Sequence, residues 1–355
     1  MEITLEIFQI FDLMAFTTAF ILGLVFLFKP PKTNIYLGLF LISLGLEVFQ
    51  VFITEVSIYN DFEIVEVLNF PTLVFLLFYV QKNILGYIPK KAWFVLGLGL
   101  VISFFIPLII NNNEEFLAAR FLDYTYNISI IAYLFKILTI HQKNVINYYS
   151  EIEQKTLSWI QTILYIMLGF YIFWIAEDII SLFNQELPEI FALISTIATC
   201  ILIYWIGYKG LSQPEIFNQS LYKEDKIEPN NTLGIENKTN TINNEDLSLF
   251  NELKEQIINQ KLYTNQQLNL RGLAIELNIK EKELSRIINT QTNFYQLINT
   301  LRVNEFKTLI QSPKANQLSL LGLAQEAGFS SKSTFYTAFK KLEGMTPKQY
   351  ENSIN

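Results

Sequence analysis

The chain has 355 residues, 51% of them hydrophobic, with 26 Lys and Arg against 33 Asp and Glu for a net charge of −7. Charged residues make up 17%, below the roughly 25% usual for a soluble chain. One Cys and one His exclude an internal disulfide and any metal site built from Cys or His clusters.

Seven long apolar runs occupy the first part: Ile7–Phe28, Ile35–Thr54, Ile64–Ile84, Ala92–Ile110, Phe121–Ile140, Leu157–Leu182 and Pro188–Tyr208. A membrane-spanning helix needs about 20 such residues. The runs are continuous rather than alternating, so helices are expected and a β-barrel is not. The opening residues Met1 to Glu6 lack a basic stretch, so no cleaved signal peptide is expected. Lys29 and Lys32, Lys82, Lys90 and Lys91, Lys136, Lys143 and Lys155, and Lys209 all fall on one side of the runs. The other side holds Glu2, Glu6, Glu55, Asp61, Glu63, Glu114, Glu115, Glu186 and Glu189, with Arg120 as its only basic residue. The excess of Lys marks the cytoplasmic side, so the N-terminus is expected outside and the C-terminus inside.

Ionisable residues within such runs are costly. Asp12, Glu47, Glu66, Glu177 and Asp178 are the examples, and Glu47 is the candidate for a signal site because no Lys or Arg lies near it in sequence. Glu66, Glu177 and Asp178 are expected as solvated helix ends. Cys200 reads as a small core residue. From 211 to 245 the chain turns polar, with Asn230-Asn231-Thr232 and Asn237 to Asn244 prominent. Such a stretch buries too little to order itself, and a flexible coil of this length spans about 30 Å.

The rest, 246–355, carries 13 Lys and Arg against 10 Asp and Glu, a net of +3. Leu247, Phe250, Leu253, Ile257 and Ile258 recur at helical spacing. A short helix around Leu270–Leu277, a turn at Asn278-Ile279 and a helix around Lys280–Asn289 predict a helix-turn-helix. A long helix follows from about Asn293, which is placed to cap it with Gln296. The pattern then repeats: Leu320–Ala327, a turn at Gly328-Phe329, and Ser330–Lys341, with Phe335 and Phe339 on the buried face. Leu284 and Phe335 are equivalent anchors. Thr346 and Pro347 start a last helix.

Residues 246–352 resemble the DNA-binding domain of AraC/XylS-type transcriptional regulators. The carrying residues are Leu323-Ala324, Gly328-Phe329, Phe335, Phe339-Lys340-Lys341, Gly344-Met345-Thr346-Pro347 and Tyr350. The runs before them are similar to membrane regulators that bear this domain. The resemblance implies an all-α chain: a seven-helix transmembrane sensor bundle (1–210), a flexible linker (211–245), and a DNA-binding domain (246–355) with helix-turn-helix units near 270–290 and 320–341.

Carried over by position, base contacts to double-stranded DNA fall to Lys282, Ser285, Arg286, Lys332, Ser333, Thr334 and Thr337, and phosphate contacts to Lys340, Lys341 and Lys348. The family often has Arg where Thr337 stands, and its closing Arg is Glu351 here. Both differences weaken guanine-directed contact from the second unit. The implied protein is a multi-pass one-component regulator of the bacterial inner membrane, gated by a small-molecule or membrane-borne signal and able to pair as a homodimer. No catalysis, cofactor or metal is expected. The competing readings are a membrane enzyme or transporter with a fused regulatory domain, and a receptor-like scaffold without DNA binding.

Overall fold

The computed structural model describes residues 7–55, 71–105, 113–153, 155–183, 189–213 and 244–354. The chain is all-α. Fourteen α-helices and no strand occur among the described residues, and a lone antiparallel bridge joins Tyr149 to Asn269. Two compact units result. One comprises Met1–Leu138 and Leu157–Lys226, the other Thr139–Thr156 and Ile227–Asn355.

Among the described residues seven α-helices precede residue 213: α1 (Ile7–Phe28), α2 (Asn34–Glu55), α3 (Thr72–Leu85), α4 (Lys90–Leu100), α5 (Asn113–Tyr148), α6 (Ser158–Ser181) and α7 (Glu189–Ser212). Among the described residues four segments are long and apolar enough to cross a membrane: Ile7–Phe28, Asn34–Ile53, Ser158–Ser181 and Leu193–Ser212. In the first unit α1 packs along α2 and α7. Close approach explains the pairing. A Cβ on Gly38 would sit 2.7 Å from the Gly23 carbonyl, and one on Gly23 would sit 2.5 Å from Ile42. Backbones meet this way where neither helix carries a side chain, as in small-residue membrane interfaces. The outward faces stay apolar, with Phe94, Ile172 and Ile201 more than half exposed. Apolar faces this open mark surfaces that water does not normally cover.

Sequence and structure differ at several points. The described part of the third run begins only at Thr72. In the fourth run the α-helix gives way to a π-turn at Val101–Phe105. Residues 64–70, 106–110 and most of the linker lie outside the described residues, as does Glu66. The fifth helix continues past the apolar boundary at Ile140 to Tyr148. Loss of apolarity does not end a helix; a breaker does, and none occurs before Tyr149. Residues 139–156 group with the second unit.

Glu47 is not alone: its carboxylate accepts a hydrogen bond from Thr72 Oγ1, and Thr72 pairs with Ser43 Oγ at 2.7 Å. Asp178, expected at a solvated end, is buried, and it bonds Arg120 at 2.9 Å and accepts from Tyr124 Oη at 2.7 Å. A buried carboxylate is costly without such partners. Arg120 is 58 residues away in sequence, so no local pattern announced it.

The second unit contains α8 (Asn244–Asn259), α9 (Leu270–Glu276), α10 (Glu281–Asn289), α11 (Phe294–Ile310), α12 (Leu320–Glu326), α13 (Lys332–Glu343) and α14 (Pro347–Ile354). Along α11 the face Ile298, Arg302, Phe306 and Ile310 is buried at a spacing of four. One core gathers Phe306, Leu323, Phe329, Phe335 and Phe339 around that helix. Leu284, Ile287 and Ile288 bury the inner face of α10.

Candidate nucleic-acid interface

The first helix of each repeat starts on a side-chain cap. Asn269 Oδ1 accepts from Gly272 N (2.8 Å) ahead of α9, and Ser319 Oγ accepts from Gly322 N (3.1 Å) ahead of α12. Asn293 Oδ1 accepts from Gln296 N at 2.9 Å, as the Asn293/Gln296 spacing suggested. Thr346 and Gln349 cap each other reciprocally, with Pro347 at the first helical position. Caps of this kind satisfy amides that have no partner inside the helix.

The turns match as well. Asn278 (φ 54°) and Gly328 (φ 104°) take left-handed backbone, and Ile279 N and Phe329 N donate to the carbonyls of Ala274 and Ala324. Up to this point the repeats correspond at an offset of 50 residues. Afterwards the offset is 51: the cap positions are Lys280 and Ser331, and the anchors are Leu284 and Phe335. The second unit therefore has one extra residue in its turn. Its cap is a serine, whose Oγ accepts from Thr334 N at 3.1 Å, whereas Lys280 supplies no side-chain cap.

These anchors aim the outer faces. On α10, Lys282 and Arg286 are exposed and Ser285 is half-buried, accepting from Asn289 Nδ2 at 3.2 Å. On α13, Lys332, Ser333 and Thr337 are exposed. Thr334 is the exception and a correction. It is 1% exposed, and its Oγ1 accepts from Ser331 Oγ at 2.9 Å. It completes the helix start and does not face a duplex. At the 51-residue offset Arg286 and Thr337 are equivalent, so the first unit holds the arginine that the second lacks. Lys340, Lys341 and Lys348 are exposed beyond these faces, and Lys348 pairs with Glu351 in its own helix.

Two residues of this region were not singled out in the sequence. Asp246, in the first turn of α8, holds Arg286 through a 2.8 Å ion pair, and this hydrogen bond keeps the guanidinium more basic than usual. Arg302 is fully buried in α11. Its Nε and Nη2 donate to the carbonyls of Tyr263 and Asn265, each at 2.8 Å, and its guanidinium lies 5.8 Å from the Phe329 ring. Burial pushes it down to about 10, against the pull of the Glu151 carboxylate. One side chain thus ties the loop before the first unit to the turn of the second. The signal was an arginine on the otherwise apolar face of α11.

Among the described residues no group of His, Cys, Asp and Glu could hold a metal ion. The arrangement is a pair of exposed helices on one connecting helix, each with short polar and cationic side chains forward. That geometry suits the edges of bases in a major groove.

Residues 273–353 match the family model described as a helix-turn-helix domain. With the capped repeats, this defines the C-terminal unit as a DNA-binding domain of AraC/XylS type. Over 60 residues the chain is 38% identical to the Melibiose operon regulatory protein of Escherichia coli (strain K12), and to the protein of the same name from Escherichia coli O6:H1. The match covers 17% of this chain and 19% of each relative, so the chain spans about a fifth of the length of these curated relatives. No solved structure matches the chain.

Proposed function

We propose that the chain is a membrane-bound one-component transcription regulator. The observation that carries this reading is the joining, in one polypeptide, of an AraC-type domain to four helices able to cross a membrane by length and composition. The likeness to a regulator of the melibiose operon supports control of transcription. The distribution of Lys along the chain supports an external N-terminus and a cytoplasmic DNA-binding domain. Glu47, with Thr72 and Ser43 beside it, is the candidate site for an external or membrane-borne signal. That signal alters the packing or pairing of the membrane helices. Pairing in the membrane raises the local concentration of DNA-binding domains, which a domain of net charge +3 needs for tight binding.

Genome-wide DNA occupancy of the full-length protein, beside an Arg286→Ala/Lys332→Ala double variant, tests the reading. Discrete peaks are expected for the natural protein and their loss in the variant. Absence of any variant-sensitive peak, with the protein present in the membrane, overturns it.

The Asp246 pair adds a second expectation. Asp246→Asn frees Arg286 from an exposed competing carboxylate, and exposed pairs are weak. Affinity for the target duplex should rise by no more than about fivefold, and the salt dependence should steepen as another cation meets DNA. Titrations at two salt concentrations check this. Unchanged affinity and slope would show that Arg286 does not reach the duplex.

A further inference from the structure

Residues 139–156 connect two helices of the first unit, yet they belong to the second. Helix α5 runs through residue 138 and ends at Tyr148. The turn after it folds back on the helix end. His141 Nε2 donates to the Lys155 carbonyl at 2.8 Å, and Lys155 Nζ lies 3.9 Å over the Tyr149 ring.

The same turn is bonded to the DNA-binding helices at three places. Tyr149 pairs through its backbone with Asn269, the residue that caps α9. Ser150 Oγ donates to the Leu268 carbonyl at 2.8 Å. Asn299 Nδ2, from the middle of α11, donates to the Ser150 carbonyl at 2.9 Å. Ser150 is 1% exposed and Asn299 2%. Beside them, Glu151 Oε1 and Arg302 Nη1 are both buried without a hydrogen-bond partner, and their charges are opposite. Arg302 is the residue that fixes the 263–265 loop.

We propose that residues 139–156 form a clamp that sets the first helix-turn-helix unit against the connecting helix α11, so that α5 positions α10 for DNA. The physical argument is one of place. The clamp holds the cap of α9 and the middle of α11, the two elements whose angle decides where α10 points. Its hydrogen bonds reach the approach to α9 and the middle of α11, so its effect falls on the first unit. A shift or turn of α5 reaches Asn269 and Asn299 within the helix and its turn, without passing through residues 214–243. The relay rests on the reading of the chain as a membrane-bound regulator; the docking itself does not.

Two arms test the proposal on the full-length protein in lipid. First, Tyr149→Cys and Asn269→Cys are combined in a Cys200→Ser background. Bridge partners lie about 4.5–5.5 Å apart at Cα, within reach of a disulfide. Mild oxidation should cross-link this pair and leave a Tyr149→Cys/Ser331→Cys control uncrosslinked. Second, Ser150→Ala and Asn299→Ala are footprinted separately on a site found by the occupancy map. Each removes a hydrogen bond of the clamp (Asn299→Ala also loses the bond from Nδ2 to the Tyr295 carbonyl within α11), so protection of the half-site under the first unit should weaken about threefold to tenfold, while protection under the second unit persists.

Failure to cross-link overturns the docking. Cross-linking with unchanged footprints, or with both half-sites weakened equally, overturns the positioning role. If the natural protein binds no DNA, the regulator reading fails, and the cross-link arm still decides the docking.

Discussion

Phe335→Ala is expected to destabilise the C-terminal unit by about 3–5 kcal/mol. The side chain is fully buried, and its ring lies 4.7 Å from Phe306, 5.2 Å from Phe329 and 5.8 Å from Phe339. Truncation removes the transfer energy of a whole ring and leaves a cavity walled by three other rings. These walls belong to α11, to the turn before α13 and to α13 itself, so they cannot collapse together without moving the recognition helix. Domains of this size are stable by roughly 5–15 kcal/mol, so a fifth or more of the total is at stake. Urea unfolding of the full-length protein, followed by amide exchange in 294–343, measures it. A loss below about 1 kcal/mol would mean that this core is not packed as described.

The second large effect is at Gly328. Its φ of 104° is strained for any side chain, and a Cβ there would stand 2.5 Å from the Tyr263 carbonyl oxygen and 2.8 Å from Thr264 Cα. Backbone atoms cannot swing aside as a side-chain tip does. Left-handed backbone costs an L-residue about 1–2 kcal/mol, and the collision adds to it, for a total of about 2–4 kcal/mol with Gly328→Ala. Gly344 provides the internal control. It also has positive φ (73°), but nothing lies within 4 Å of its would-be Cβ. Gly344→Ala should therefore cost only the conformational part. Equal losses at the two positions would show that the contact with Tyr263 is absent.

How far the sequence could be read follows from what a local pattern encodes. Spacing and caps lie within a few residues of each other, so Asn293, Thr346-Pro347, the turn at Gly328 and the anchors Leu284 and Phe335 were all legible. The carried-over Lys282, Arg286, Lys332, Ser333 and Thr337 do face outward, because the anchors between them fix the helix rotation. Thr334 turns inward to its own cap, which residue type alone does not reveal. Partners distant in sequence were not legible at all. Nothing near Asp178 announced Arg120, nothing near Arg286 announced Asp246, and nothing in the stretch 139–156 announced Leu268 or Asn299. Hydropathy marks where the apolar face of α5 ends, but helix continuation depends on hydrogen bonds and breakers, so no apolar pattern marks the eight residues from His141 to Tyr148 as helical.

The single extra residue in the turn of the second unit bears on anyone who would re-engineer the reading heads. Each residue of a helix advances its side chains by about 100°. Copying α13 residues onto α10 at the 50-residue spacing of the preceding helices would rotate the whole transplanted face by that angle, sending Thr337 to the place of the buried Ile287. A graft made at 51 keeps Arg286 and Thr337 in register. The two heads are thus interchangeable parts cut on different pitches, and a chimera has to respect the joint as well as the blade.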